Sequence, residues 1–184
     1  QAWVCGCGLG TDERAEAELR AVLAAPVPAV LDADALTLLV NGSKADLLRR
    51  RKAPVVLTPH DREFARLAGY SGEAGGEDRV EATLRLAAWT NAVVLRKGDR
   101  TVVATPDGRA WANPTGTPAL ATGGTGDVLA GLLGSLLAGG LSAERAAVAA
   151  AYLHGLAGRE AARHGPVTAV DVAQALRAVV PAPS

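Results

Sequence analysis

Short apolar runs recur along this chain, each ending in a glycine, proline or polar turn and each leading into a helical pattern. That repetition restricts the fold more than any other feature. Ala2–Cys5 passes through Gly6-Cys7-Gly8-Leu9-Gly10 into a helix over Asp12–Leu23 with acidic residues in its first turn. Pro28–Leu31 passes through Asp32-Ala33-Asp34 into a short helix near Ala35–Val40. Pro54–Leu57 is followed by Thr58-Pro59-His60 and a helix that begins near Asp61. The segment Gly76–Thr90 is amphipathic, and Ala92–Leu95 reads as the next strand. Such alternation is the signature of a parallel sheet covered by helices.

The pattern changes once. Thr101–Thr105 and Arg109–Ala112 flank the turn triplet Pro106-Asp107-Gly108, so a β-hairpin is expected there. From Gly124 onward the chain reads as helical. Val128, Leu129, Leu132, Leu133, Leu136 and Leu137 share one helical face, and Gly131, Gly134 and Ala138 are expected to admit close backbone approach. Two further helices, about Ser142–Arg163 and Thr168–Val179, finish the pattern, the last introduced by Thr168 and Asp171 and stopped by Pro181. There is no internal repeat and no long linker. Residues 1–184 therefore read as a single α/β domain, a size that one buried core can serve.

Composition narrows the partners. Apolar residues make up 49% of the chain and aromatics only 3%, so the core is built from Ala, Val and Leu. Lys plus Arg equals Asp plus Glu at 19 each, and no basic run stands out, which argues against nucleic acid or an anionic membrane surface as a partner. No apolar stretch is long enough to span a bilayer. The chain has no Met and starts at Gln1 on an apolar run instead of a signal peptide, so a processed or truncated product is expected. Cys5 and Cys7 are too close for an unstrained disulfide and too few for a zinc site. Reduced, partly buried thiols in a reducing, cytoplasmic compartment fit best, with a redox or metal role the lesser alternative.

The segment Ala121-Thr122-Gly123-Gly124-Thr125-Gly126-Asp127 carries the chemistry. A helix start leaves four N–H groups without internal partners and adds about half a positive charge. Glycines let those N–H groups crowd around an anion. No Lys-Ser/Thr follows, so this is not a Walker A loop, and it is not a dinucleotide fingerprint after a strand. A first-turn acid alone would explain Asp127, but not three glycines in four residues. Gly123, Gly124, Thr125 and Gly126 are expected to hold phosphate. Asp127 is expected to take the proton from a substrate hydroxyl as it attacks phosphorus.

The stretch from Asn113 to Gly131 closely resembles the ADP/ATP-dependent NAD(P)H-hydrate dehydratases of the ribokinase-like superfamily. Gly6-Cys7-Gly8-Leu9-Gly10, Leu31-Asp32-Ala33-Asp34-Ala35-Leu36, Leu57-Thr58-Pro59-His60 with Glu63-Phe64, Leu95-Arg96-Lys97-Gly98 and Tyr152–Gly158 agree in order and spacing. The resemblance covers essentially the whole chain. It implies a three-layer α/β/α sandwich with a mostly parallel sheet, from which the family's first βα units are absent. Cys7 stands where the family usually has proline, a change expected to alter loop stiffness but not chemistry.

The resemblance also implies a reaction. A nucleotide, ADP with ATP the alternative, phosphorylates the C6 hydroxyl of hydrated NADH or NADPH, and loss of phosphate restores the ring double bond. Asp127 would be the base, and Mg²⁺ the accompanying ion. Lys97, Gly98, Asp99, Arg100 and Thr101 match the family's nucleotide-binding segment, where a lysine suits phosphate. His60 and Glu63 become substrate-side residues, His60 lying at a strand end where open α/β sheets bind ligands. Gly8 and Gly10 are open to two readings, binding the substrate pyrophosphate or packing. Asp32 and Asp34 are equally open, holding Mg²⁺ or capping the helix that follows. His154 is expected to pack. The resemblance further implies a homo-oligomer, a tetramer being one form. Two rivals stand beside this reading: a vitamin or sugar kinase of the same superfamily, and a non-catalytic nucleotide-binding module.

Overall fold

The computed structural model describes residues 1–40, 44–70 and 78–180 of the chain. Six strands form one sheet in the order of the sequence: β1 (Trp3–Cys5), β2 (Ala29–Leu31), β3 (Val55–Leu57), β4 (Val93–Arg96), β5 (Val102–Ala104) and β6 (Ala110–Ala112). The first four are parallel, with Cys5 opposite Leu31 and Leu31 opposite Leu57. The last two form the expected hairpin and pair antiparallel, Leu95 with Val103 and Val103 with Trp111.

Alternation along the strands assigns each residue to one of two faces. Leu31, Val55, Leu57, Val94 and Ala104 point to one side. There they meet α1 (Glu13–Ala24), α2 (Ala33–Val40), α3 (Lys44–Arg50), α4 (Asp61–Tyr70) and α5 (Arg79–Thr90), through Leu19, Leu36, Leu48, Phe64 and Leu86 among others. Val30, Val56, Val93, Leu95 and Val103 point to the other side. Two helices cover them, α6 (Thr125–Ala138) with Leu129, Leu133 and Leu137, and α7 (Ala143–Ala161) with Ala146, Ala147 and Ala150. The final helix, α8 (Ala169–Val179), buries Val172 against Ala157 and Ala161. The result is the expected three-layer α/β/α arrangement.

The helix boundaries follow from local chemistry. Asp12, Asp78 and Ser142 accept first-turn N–H groups of α1, α5 and α7. Asn91 ends α5 in the left-handed region at φ +53°. Thr168 and Asp171 form a reciprocal capping box at α8, as their spacing suggests. Pro181, expected to stop that helix, and the start of the Gly76–Thr90 segment lie outside the described residues. The expected helix to Arg163 ends at Ala161 and continues as a 3₁₀ turn over Ala162–His164.

α3 adds to the elements expected from the sequence: among residues 46–50 only Leu48 is well buried, and the stretch is too short to show a period. One expectation needs correction. Of the glycines in α6, Gly134 does admit a close neighbour, since a Cβ there would lie 2.4 Å from Val4 Cγ2. Gly131 does not; nothing lies within 4 Å of a Cβ built on it. It faces away from the sheet.

Candidate active site

The turns after the four parallel strands meet at the carboxyl end of the sheet, beside the start of α6. The turn after β1 depends on Gly6, at φ +127°, because a Cβ there would come 1.7 Å from the Asp32 carbonyl oxygen. That contact seats the β1 turn on the β2 turn. Ala33 follows at φ +45°, a left-handed conformation uncommon outside glycine, between Asp32 and Asp34. The two acids then part ways. Asp34 Oδ2 accepts the Gly10 N–H at 2.8 Å and so fixes the end of the glycine turn. Asp32 is buried, and its Oδ1 lies 2.7 Å from Lys97 Nζ. Neither carboxylate caps α2.

After β3, His60 caps α4. Its ring Nδ1 accepts the Arg62 N–H at 3.1 Å and the Glu63 N–H at 3.3 Å, which places the proton of the neutral ring on Nε2. Glu63, buried, returns the favour by accepting the His60 N–H at 2.8 Å. After β4, the Lys97 N–H donates to the Pro59 carbonyl at 2.8 Å, so the β3 and β4 turns are joined as well.

α6 begins at Gly124, φ +85°, with no side chain capping its N–H groups. Thr125 is buried and its hydroxyl donates to the carbonyls of Leu120 at 2.7 Å and Thr122 at 2.8 Å, tying the helix start to the preceding loop. A Cβ on Gly126 would lie 3.4 Å from Lys97 Nζ and 3.7 Å from Asp32 Oδ2, so the ion pair sits directly over the first turn. A Cβ on Gly123 would meet nothing within 4 Å. The open space at this helix start is therefore over Gly123, while Ala169 lies 3.0 Å from a Cβ built on Gly124.

Asp127, in that turn, is exposed. One carboxylate oxygen each from Asp127 and Asp32 and the Cys7 sulfur lie within 4.8 Å of one another. Burial, a hydrogen bond to Asp127 and the charges of Asp32 and Asp127 push the Cys7 thiol up to about 12, against the opposing pull of Lys97. Cys7 is therefore a neutral thiol beside the carboxylate. Cys7 is exposed, where partial burial is expected from the sequence, and it lies at the carboxyl end of β1 beside Asp32 and Asp127, a placement that loop stiffness does not require. Cys5 is buried, and neither cysteine is bridged.

On the other side of Lys97 lies a cavity of about 640 Å³. It brings together Lys97, Gly98, Asp99, Thr101, Thr125 and Gly126 of the expected nucleotide residues, and His60 as well. Arg100, Gly123 and Gly124 flank it without lining it. Gly8 borders a separate cleft of about 450 Å³ along β1 and α1, and Gly10 borders neither. Asp127 thus stands between a nucleotide-sized cavity and the β1 turn.

The roof of the cavity was not foreseen. Residues 113–121 lie on α7 because two glycines make room: a Cβ on Gly155 would fall 2.2 Å from Thr115 Oγ1, and one on Gly158 2.7 Å from Leu120. Asn113 Nδ2 donates to the Ala151 carbonyl at 3.1 Å, Thr115 Oγ1 to that of Tyr152 at 2.9 Å, and Arg159 Nη2 to that of Pro114 at 2.7 Å. His154, buried as packing predicts, also borders the cavity. Burial pushes its pKa down to about 4; its bond to the Thr125 backbone opposes that, and the Lys97 charge adds to it. Its Nε2 has no hydrogen-bond partner among the described residues.

A family profile described as NAD(P)H-hydrate dehydratase matches residues 1–180. The bifunctional NAD(P)H-hydrate repair enzyme Nnr of Mycobacterium leprae is 49% identical over 167 residues, 90% of this chain and 34% of that protein. The ADP-dependent (S)-NAD(P)H-hydrate dehydratase of Neisseria meningitidis is 44% identical over 158 residues, 85% of this chain and 53% of that protein. The chain thus spans between a third and about half of the length of these relatives. Among solved structures, the ADP/ATP-dependent NAD(P)H-hydrate dehydratase of Bacillus subtilis, co-crystallised with ATP and Mg²⁺ and soaked with CoA, superposes with a TM-score of 0.81 at 34% identity, covering 97% of this chain and 64% of that one.

Proposed function

Because this chain belongs to the NAD(P)H-hydrate dehydratase family, we propose that it acts in the nucleotide-dependent dehydration of (6S)-NAD(P)H hydrate, with ADP as the donor ahead of ATP. The observation that carries this reading is the meeting at the start of α6. An exposed carboxylate, a lysine and uncapped helix N–H groups surround one point beside a nucleotide-sized cavity. Asp127 takes the proton of the C6 hydroxyl as that oxygen bonds to the transferred phosphorus and the bond from phosphorus to the departing nucleotide breaks, releasing AMP from ADP. The N–H groups around Gly124–Gly126 and the Lys97 ammonium stabilise the phosphoryl oxygens. The ring nitrogen lone pair then expels phosphate from C6, and the resulting iminium loses a proton from C5 to water, restoring the ring double bond.

Lys97, Gly98, Asp99, Arg100 and Thr101 serve the nucleotide side. His60, with Glu63 acting through the His60 cap, and the Gly8–Gly10 turn serve the substrate side. The fit to Mg²⁺ is carried by oxygen: the carboxylates of Asp32 and Asp127 are hard donors within reach of one another, whereas the Cys7 thiol suits softer ions. Asp32 would hold the ion through the oxygen not paired with Lys97, leaving Asp127 as the base, and the ion would supply charge neutralisation of the phosphates when bound.

The test is incubation with hydrated NADH, Mg²⁺ and ADP or ATP, followed at the reduced-nicotinamide absorbance. Recovery with either nucleotide is expected. No recovery with both would sink the proposal, and a stable phosphorylated product without dehydration would favour a kinase.

A further inference from the structure

We infer that Arg79, at the first turn of α5, is a positioning residue that sets the Lys97–Arg100 loop for nucleotide, an inference that rests on the reading of that loop as the nucleotide side of the site. One guanidinium holds the loop at both ends. Nη2 donates to the Lys97 carbonyl at 2.7 Å and Nε to the Arg100 carbonyl at 2.8 Å. Its third arm, Nη1, reaches Asp61 Oδ1 at 2.8 Å. The same carboxylate oxygen accepts from Arg96 Nε at 2.8 Å, and the Arg96 guanidinium stacks 3.9 Å above the Phe64 ring. Arg79 is thus anchored in a network that reaches into the core, and only 22% of its side chain is exposed.

The loop is shaped to receive it. A Cβ on Gly98 would come 2.4 Å from Arg79 Nη2, so glycine leaves the room that the guanidinium fills. The far end of an arginine is normally free to step aside, but this one is fixed by three hydrogen bonds in distinct directions. A planar fork with five donors can bind two loop carbonyls and a carboxylate at once; an ammonium on a flexible stem cannot reproduce that geometry. The carbonyl of Lys97 is held by Arg79, its N–H by Pro59 and its Nζ by Asp32. Lys97 therefore reaches the helix start already oriented. Neither Arg79 nor Arg96 borders the cavity, so Arg79 acts through the loop and not on the ligand.

The test pairs ADP titration calorimetry with amide hydrogen exchange at residues 98–101 in the nucleotide-free chain. Arg79→Ala is expected to weaken ADP by about 10- to 100-fold, the loss of charged hydrogen bonds to the loop. Exchange at 98–101 should quicken, and the affinity loss should appear as a raised KM for ADP. Arg79→Lys should recover only part of the affinity, and millimolar guanidinium ion should restore part of it to Arg79→Ala. Gly98→Ala should reproduce the defect and add little to Arg79→Ala. Wild-type-like ADP affinity and exchange in Arg79→Ala would overturn the inference. So would a loss of affinity that guanidinium does not rescue and that comes with faster exchange throughout the chain. A wild-type chain that binds neither ADP nor ATP overturns the proposed function instead, and exchange at 98–101 then still decides whether Arg79 holds the loop.

Discussion

Asp127 and His154 both attend the start of α6, one exposed in its first turn and the other buried and bonded to the Thr125 backbone. If Asp127 is the base, Asp127→Asn removes proton transfer but keeps the helix start proposed to hold phosphate. Turnover should fall by about 10²- to 10⁴-fold with ADP affinity nearly unchanged, read from steady-state kinetics and calorimetry on one preparation. His154 makes a separate prediction about stability. Its folded pKa, about 4, lies below the ordinary histidine value of 6.5. Between those values the unfolded chain binds a proton that the folded chain does not, so stability falls as pH drops from about 6.5 toward about 4 and levels off below. The whole effect is on the order of 3 kcal/mol. Urea unfolding across this window should show the slope in the wild type and a flatter profile in His154→Gln. An equal slope in both would assign it to other groups. At this scale the sequence marked Asp127, because its glycine setting is local. It did not reveal the thiol beside it, because Cys7 reaches Asp127 only after the chain has crossed from β1 to α6.

Among the elements, α7 carries the most consequence for its composition. Its alanines allow close approach to the sheet, and its two glycines let residues 113–121 lie flat on it as the cavity roof. Gly155→Ala should push a methyl into Thr115 and cost about 1–3 kcal/mol in chemical denaturation. It should also weaken nucleotide binding, since the displaced segment borders the cavity. If stability drops while ADP affinity holds, the roof is not part of the nucleotide site. Thr168→Ala should cost about 1 kcal/mol through the capping box and leave ADP affinity alone. The periodicity of β1 to β4 and their helices was legible because each element announces itself by a local pattern. The docking of 113–121 on α7 was not. Glycines at 155 and 158 show in the sequence only as breaks in an alanine-rich helix, and their partner lies about forty residues upstream. Likewise α3 is too short to show a period.

For the molecule as a whole, the sheet runs in sequence order from β1 to β6, which leaves β1 at one edge among the described residues. Trp3 and Val4 on that strand are 51% and 40% exposed.

The division of the helices between the two faces also bears on how the polypeptide is made. The crossover helices α1 to α5 shield one face as each strand is added, so synthesis and folding can keep pace on that side. Among the described residues, the valine- and leucine-lined reverse face is covered by residues 125–161 alone. The delay between synthesis of the strands and synthesis of those helices thus sets how long that face is on display to chaperones or to other nascent chains.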